Sequence, residues 1–385
     1  MNIALLTSSD YPEHGAPETF VRNLFTGLSS ASSKVTIFKF WGTRYSSNAR
    51  YDYVQNYLFR SPPARIILLQ LLDYFAKISY APVFIFRLRY IVKANCLFIY
   101  GIDTSLFLLP VLLACKCFNL PVYRFVTEIY SCRSYITHFI KWPDVAFRYF
   151  QIAFFDRYFN GILVLSNYLK QILSTHNVPN QRILLIHNLI DASSNVVSSK
   201  PEKNTICFFG YISRENGIDI LLNQFSVVQQ HFPLAKLFLA GPLSNDIDWI
   251  NYFDSFKNIS YLGVLDKFQL NTLISKCDVL VNPRPIGLGQ LSGFPTKFGE
   301  YALSGRPFIS TLIPDLVSCF PAPQYTFWAL DPYELASKLV AYFTDPSPLV
   351  DDCNTARLWA LDNLCCLKKA RSIASFVKST STIRL

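Results

Sequence analysis

Short unbroken apolar runs alternate with helix-period segments along this chain, and the alternation occurs twice. NIALLTS (2–8), KVTIFKF (34–40), CLFIYG (96–101), PVYRFVTE (121–128) and GILVLS (161–166) form the first series. TICFFGY (205–211), KLFLAGP (236–242), ISYLGV (259–264), VLVNP (279–283) and PFIST (307–311) form the second. Strands this apolar are covered on both faces, which is the condition of a parallel sheet with helices above and below. The intervals have room for crossover helices, and PETFVRNLFTGLSS (17–30) puts Phe20, Leu24 and Leu28 on one helical face. The polar stretch from Asp191 to Asn204, DASSNVVSSKPEKN, separates the series with linker composition. At 385 residues the chain exceeds one ordinary core. The expectation is an α/β protein of two doubly wound, Rossmann-like domains, 1–190 and 191–362, facing a central cleft.

Hydrophobic residues make up 51% of the chain and charged residues 16%, which raises the question of a membrane span. The longest weakly charged stretch, Asn95 to Cys117, is interrupted by Asp103, Pro110 and Lys116. It reads as strand, turn and buried helix rather than ~20 continuous apolar residues. MNIALLTSSDYPEHG lacks a basic leading region and is expected to be a first strand, not an export signal. The ten cysteines form no Cys-x-x-Cys pair and no His/Cys set has metal spacing, so reduced thiols in the cytosol are expected.

The net charge of +10 lies entirely in residues 1–190. No Lys/Arg-rich run, zinc module or RNA-binding signature accompanies it, which argues against nucleic acid. An anionic membrane face is the better partner for a basic, aromatic-rich half, with an ordinary basic surface as the alternative. In residues 61–94, Arg65, Lys77, Arg87, Arg89 and Lys93 are interleaved with Ile, Leu, Tyr and Phe. That suits a helix lying in a bilayer interface, or a core helix with solvated arginines.

Doubly wound sheets bind ligands beyond the C-terminal ends of their strands, beside helix N-termini. Several of those loops here are rich in Gly and Pro, and Gly210 opens the first loop of the second series. The most informative is SGFPTKFGE, Ser292 to Glu300. A helix is expected to open after Pro295, with Thr296 and Lys297 in its first turn and Glu300 one turn further on the same face. A helix N-terminus with a lysine suits a diphosphate, and a carboxylate one turn deeper suits the vicinal hydroxyls of a ribose. Taken alone, the same residues also fit a surface Lys-x-x-Glu pair.

The stretches FFGYISRENGIDILLNQF, LFLAGP, NISYLGVL, LISKCDVLVNP and SGFPTKFGEYALSGRPFIST, in this order and spacing, make the second half resemble the nucleotide-binding domain of glycosyltransferase family 4. These are retaining enzymes of the GT-B fold that use sugar nucleotides. In the first half, YPEHGAPETFVRNLFTGL resembles the family's first loop and helix, and GILVLSNYL and ILLIHNLID resemble the closing strands of its acceptor domain. The resemblance implies that Glu300 holds the ribose, that Pro295, Thr296 and Lys297 form the turn beside the diphosphate, and that Gly263 and Val264 meet the base. It also implies that Gly15 and Ala16 close on the phosphates, and that residues 363–385 form a helix packing back on the first domain.

Four positions depart from the family pattern. The first motif glutamate falls at Ser292, the Arg and Lys after the first nucleotide-domain strand fall at Tyr211 and Asn216, and a histidine falls near Thr127, beside Glu128. Arg214 from the same loop, and then Arg284, are the replacement cations to consider. The implied reaction moves a sugar from a nucleoside diphosphate sugar to an acceptor hydroxyl with retention. It uses no cofactor and no metal, with Lys297, Arg214 and the helix N-terminus stabilising the leaving group. Glu128 is the one first-domain carboxylate considered for catalysis, with a capping role as the alternative. His138 and His187 are expected to be structural. The acceptor is expected to be a saccharide or lipid-linked saccharide of surface polysaccharide synthesis (capsule, exopolysaccharide or lipopolysaccharide), met by a cytoplasmic protein peripheral at the inner face of the membrane. A catalytically inactive nucleotide-sugar-binding scaffold and a GT-B-fold epimerase are the alternatives.

Overall fold

A computed structural model of the chain describes residues 1–8, 16–31, 34–39, 54–57, 79–102, 105–128, 149–192, 200–317, 319–322, 325–327 and 334–381. The chain forms two compact units, Met1–Leu189 with Cys366–Leu385, and Ile190–Cys365.

In the first unit, seven strands form one sheet among the described residues: β1 (Asn2–Thr7), β2 (Lys34–Lys39), β3 (Val54–Tyr57), β4 (Cys96–Tyr100), β5 (Val122–Val126), β6 (Gly161–Val164) and β7 (Ile183–Leu185). Their order is β3-β2-β1-β4-β5-β6-β7 and every pairing is parallel. β4, β5 and β6 are buried along their whole length, as unbroken apolar runs require. Helix α1 (Ala16–Ser30) buries Phe20, Leu24 and Leu28, the expected stripe, each side chain contributing roughly 1.5–3 kcal/mol on burial. The stretch 95–117 resolves into β4, a turn and helix α2 (Ser105–Cys117). No helix among the described residues is long and apolar enough to cross a membrane. Among the described residues an ion pair enters this core: Arg124, in the middle of β5, is buried and donates to both carboxylate oxygens of buried Asp156 at 2.6 Å.

In the second unit, the described residues form a six-stranded parallel sheet from β8 (Thr205–Phe209), β9 (Lys236–Ala240), β10 (Ile259–Tyr261), β11 (Val279–Asn282), β12 (Phe308–Thr311) and β13 (Thr326–Phe327). The order is β10-β9-β8-β11-β12-β13 with every pairing parallel, so the strand order reverses, the topological switch point, between β8 and β11. Helix α3 (Thr296–Ser304) precedes β12 and packs against helix α4 (Ser347–Asn363). Phe298 anchors α3, with its ring 5.1 Å from Phe320 and 5.3 Å from Phe308. A Cβ on Gly299 would come within 2.7 Å of Ile190 Cγ2, so glycine is what lets the helix approach this closely. Both units are doubly wound, Rossmann-like α/β folds.

The C-terminal helix expected over 363–385 is seen as helix α5 (Cys366–Thr380), separated from α4 by a break at Leu364 and Cys365. Cys365 leaves helical geometry to form a parallel bridge with Ile190, whose amide donates to Leu364 O at 2.9 Å. The chain thus changes units at two adjacent backbone positions. α5 then packs on α1, and Tyr123 of β5 donates to Val377 O at 3.1 Å. The described cysteines are all free thiols.

Candidate active site

The second unit presents its chemistry at the C-terminal ends of its strands. β8, β9 and β10 are followed by Gly210, Gly241 and Gly263, with φ of 137°, 134° and 71°. The three are stitched side by side: Gly210 N donates to Ala240 O, and Gly241 N to Gly263 O, each at 2.8 Å. A Cβ on Gly241 would collide with Gly210 O, whereas Gly263 faces open space. The result is a crest of bare backbone, the surface a phosphate or a planar base can approach closely.

Lys297 stands on this crest. A Cβ on Gly210 would collide with Lys297 Cε and lie 2.7 Å from its Nζ, so the missing side chain is the lane the lysine occupies. Its Nζ also sits 4.9 Å from the centre of the Phe208 ring, a cation–π contact that holds the ammonium over the end of β8. Lys297 belongs to the first turn of α3, which opens at Thr296 after Pro295 (φ −59°) without a side-chain cap. Thr296, Lys297 and Glu300 are half-buried. Glu300 follows Lys297 by three residues, hence on the same face. The structure therefore gathers Gly210, Lys297, Thr296, Pro295 and Glu300 around the β8–β11 switch point, with Gly263 and exposed Val264 two strands along.

The other expected residues are placed differently. Ser292 is fully buried and its hydroxyl donates to Leu288 O at 2.7 Å. Asn216 closes its own loop, its amide donating to Tyr211 O at 2.8 Å and Ser213 Oγ at 3.2 Å. The exposed Arg214 side chain lies in a weak pair, Nε 4.0 Å from Asp219, whereas Arg284 is largely buried with Nη2 3.6 Å from Glu215. An exposed pair such as that of Arg214 contributes about 0–1 kcal/mol, so this cation is readily released to an anion. In the first unit, Glu128 is half-buried just beyond β5, and Ala16 opens α1. His187 holds a left-handed conformation (φ 53°) with Nδ1 3.1 Å from Leu165 O. Gly15, His138 and residues 61–78 lie outside the described residues, and 79–94 are helical through Ile91.

Two elements escaped the sequence reading. Phe208 gave no signal, since an apolar strand residue looks like core. Asp246 is the other: it accepts from Arg214 N at 3.1 Å, from Trp249 Nε1 at 2.9 Å and from the Ser244 hydroxyl. It ties the loop after β9 to the loop after β8. Burial opposes its ionisation, but the bonds from Ser244, Arg214 and Trp249 outweigh that and hold its carboxyl below the usual range. A carboxyl with a depressed folded pKa stabilises above its unfolded value, about 3.9, and loses that contribution as pH falls through the folded value. Hydrogen exchange at residues 241–249 is expected to quicken as pH drops below 4 relative to the unfolded-state rate. Asp246→Asn should exchange faster at neutral pH and lack that acid-dependent step.

Residues 203–345, within the second unit, match the model of the family described as Glycosyl transferases group 1. No curated protein sequence matches the chain. Among solved structures, HepE from Anabaena in complex with UDP aligns over 98% of this chain and 100% of its own, with 14% identity and TM-score 0.69. Sucrose-phosphate synthase from Thermosynechococcus elongatus aligns over 98% of both chains, with 13% identity and TM-score 0.72. TarM aligns over 99% of both, with 10% identity and TM-score 0.72. At such identities these likenesses establish a fold, that of the GT-B glycosyltransferases.

Proposed function

We propose that this protein is a retaining glycosyltransferase that moves a sugar from a UDP- or GDP-linked donor to a saccharide or lipid-linked saccharide acceptor in surface polysaccharide synthesis. The observation that carries the reading is the seating of Lys297 in the lane left by Gly210, with Glu300 one turn behind it, on the crest of a glycosyl transferases group 1 domain. In transfer, the bond between the anomeric carbon and the β-phosphate oxygen breaks and the acceptor hydroxyl oxygen bonds to the same carbon. The departing diphosphate gains charge, and a preorganised ammonium beside a helix N-terminus stabilises it without further reorganisation. The released phosphate oxygen takes the acceptor proton, so the reaction needs no separate general base. Positive charge comes from Lys297, aided by Arg214 once it leaves Asp219, in place of a metal. Two of the similar HepE structures contain UDP and UDP-glucose, which makes a uridine donor the first to try.

A ligand that binds only the folded protein raises its stability by RT ln(1 + [L]/Kd). UDP or a UDP-sugar at about a hundredfold excess over Kd should therefore add about 2.7 kcal/mol, read as an upward melting shift. Glu300→Ala removes charged hydrogen bonds to the ribose, each worth roughly 1.5–3 kcal/mol, and should abolish most of that shift at the same concentration. An undiminished shift in the variant would remove Glu300 from the nucleotide site. Binding without turnover across donors and acceptors would instead mark a scaffold.

A further inference from the structure

We propose that one face of the first unit is a docking surface for an anionic lipid membrane, built from three consecutive crossover segments. It stands on the first unit alone and does not depend on the transferase reading.

The sheet order β3-β2-β1-β4-β5-β6-β7 places the connections β3→β4, β4→β5 and β5→β6 in the same direction across the sheet. Right-handed crossovers then put all three on one face. Their described parts are residues 79–91, α2 and residues 149–158, and they touch one another. Phe86 and Tyr90 lie 5.7 and 6.2 Å from Phe118 at the end of α2, and α2 packs beside the turn Gln151–Phe155. Phe150, just before that turn, has its ring centre 4.8 Å from that of Phe154, the planes tilted by 44°.

This face does not bury its large apolar side chains. Phe86, Tyr90, Ile91, Leu113, Phe150 and Phe154 are 45–66% exposed. Scattered exposed apolar residues are ordinary, but contiguous aromatic and aliphatic groups on neighbouring elements mark an interaction surface. Both flanking elements contain a π-helical turn, Arg87–Ile91 and Gln151–Phe155, a rare geometry that recurs at functional positions.

Charge selects the partner. In or beside these segments Arg87, Lys93, Lys116 and Arg157 are exposed and Arg89 is half-buried. The described residues of these segments contain one carboxylate, Asp156, which is buried and neutralised by Arg124. A second copy of the chain would set cations against cations, and the central area of protein interfaces is depleted in lysine. A bilayer with anionic head groups suits each component: aromatic rings settle at head-group level, aliphatic tips reach the acyl boundary and long cations extend to phosphate.

The test is co-sedimentation of the full chain with phosphatidylcholine vesicles and with vesicles containing 30% phosphatidylglycerol. Binding should require the anionic lipid and weaken with salt. Each Lys or Arg near such a surface is worth ~1 kcal/mol, so Arg87→Gln with Lys116→Gln should lower partitioning by roughly thirtyfold. Ile91→Asn with Phe154→Ser should lower it independently. All variants should keep the wild-type melting temperature and, if the transferase reading holds, its UDP shift. Absence of binding, equal binding to both vesicles, or binding unaffected by both pairs would overturn the proposal. So would a concentration-dependent dimer, seen by sedimentation velocity, that the same substitutions dissociate. Vesicle binding without any nucleotide shift would sink the transferase reading and leave this one standing.

Discussion

Lys297→Ala is expected to lower sugar transfer by roughly 10²–10³-fold, the loss seen when a single preorganised group opposite developing negative charge is deleted. The loss should fall mainly on kcat, because charge on the leaving diphosphate grows in the transition state more than in the bound donor. The geometry makes the test sharp. Lys297 occupies space that exists because residue 210 has no side chain, and its ammonium is held over the Phe208 ring. Lys297→Arg keeps the charge but must fit a wider guanidinium into that lane, so it should recover only part of the rate. The helix itself is anchored by Phe298 and Tyr301 against Phe308, Phe320 and Phe209, so the melting temperature should barely change. A variant with full kcat would show that the leaving group is stabilised elsewhere.

The largest stability effect is expected at Asp156. Asp156→Ala leaves the Arg124 guanidinium in the first-unit core without its carboxylate, and removing one partner of a buried pair costs about 3–5 kcal/mol. The urea midpoint of the first unit should fall accordingly. Arg124→Met combined with Asp156→Leu should restore most of it, since a well-packed apolar pair avoids desolvating two charges. Failure of the double variant to recover would mean that the pair holds a conformation apolar packing cannot replace. Gln151 donates to the same carboxylate at 3.1 Å, so the pair also ties the turn bearing Phe150 and Phe154 to β5.

Much of the fold was legible because burial periodicity is local. NIALLT, CLFIY, VYRFV, GILV, TICFF and VLVN carry their burial in their composition, and all became strands of parallel sheets. VQNY (54–57) and TF (326–327) did not announce themselves. They are short, the first is half polar, and pairing at a sheet edge with β2 and with β12 is what makes them strands. The helical period of the C-terminal run likewise continues through Leu364 and Cys365. The break appears only where Cys365 meets Ile190, a residue 175 positions away in sequence.

The candidate site divides in the same way. The sequence alone determined that a helix would open after Pro295 carrying Thr296, Lys297 and Glu300 on one face, because helix signals and three-residue spacing act within a single turn. It also placed glycines after β8, β9 and β10. Only the tertiary structure decided that Gly210 makes room for Lys297, that Ser292 is buried against Leu288, and that Asn216 closes its own loop. It alone paired Arg124, a charge within an otherwise apolar strand, with Asp156. These are contacts between segments distant in the chain. Their energies depend on which strand ends the sheet order brings together, and no local pattern encodes that order.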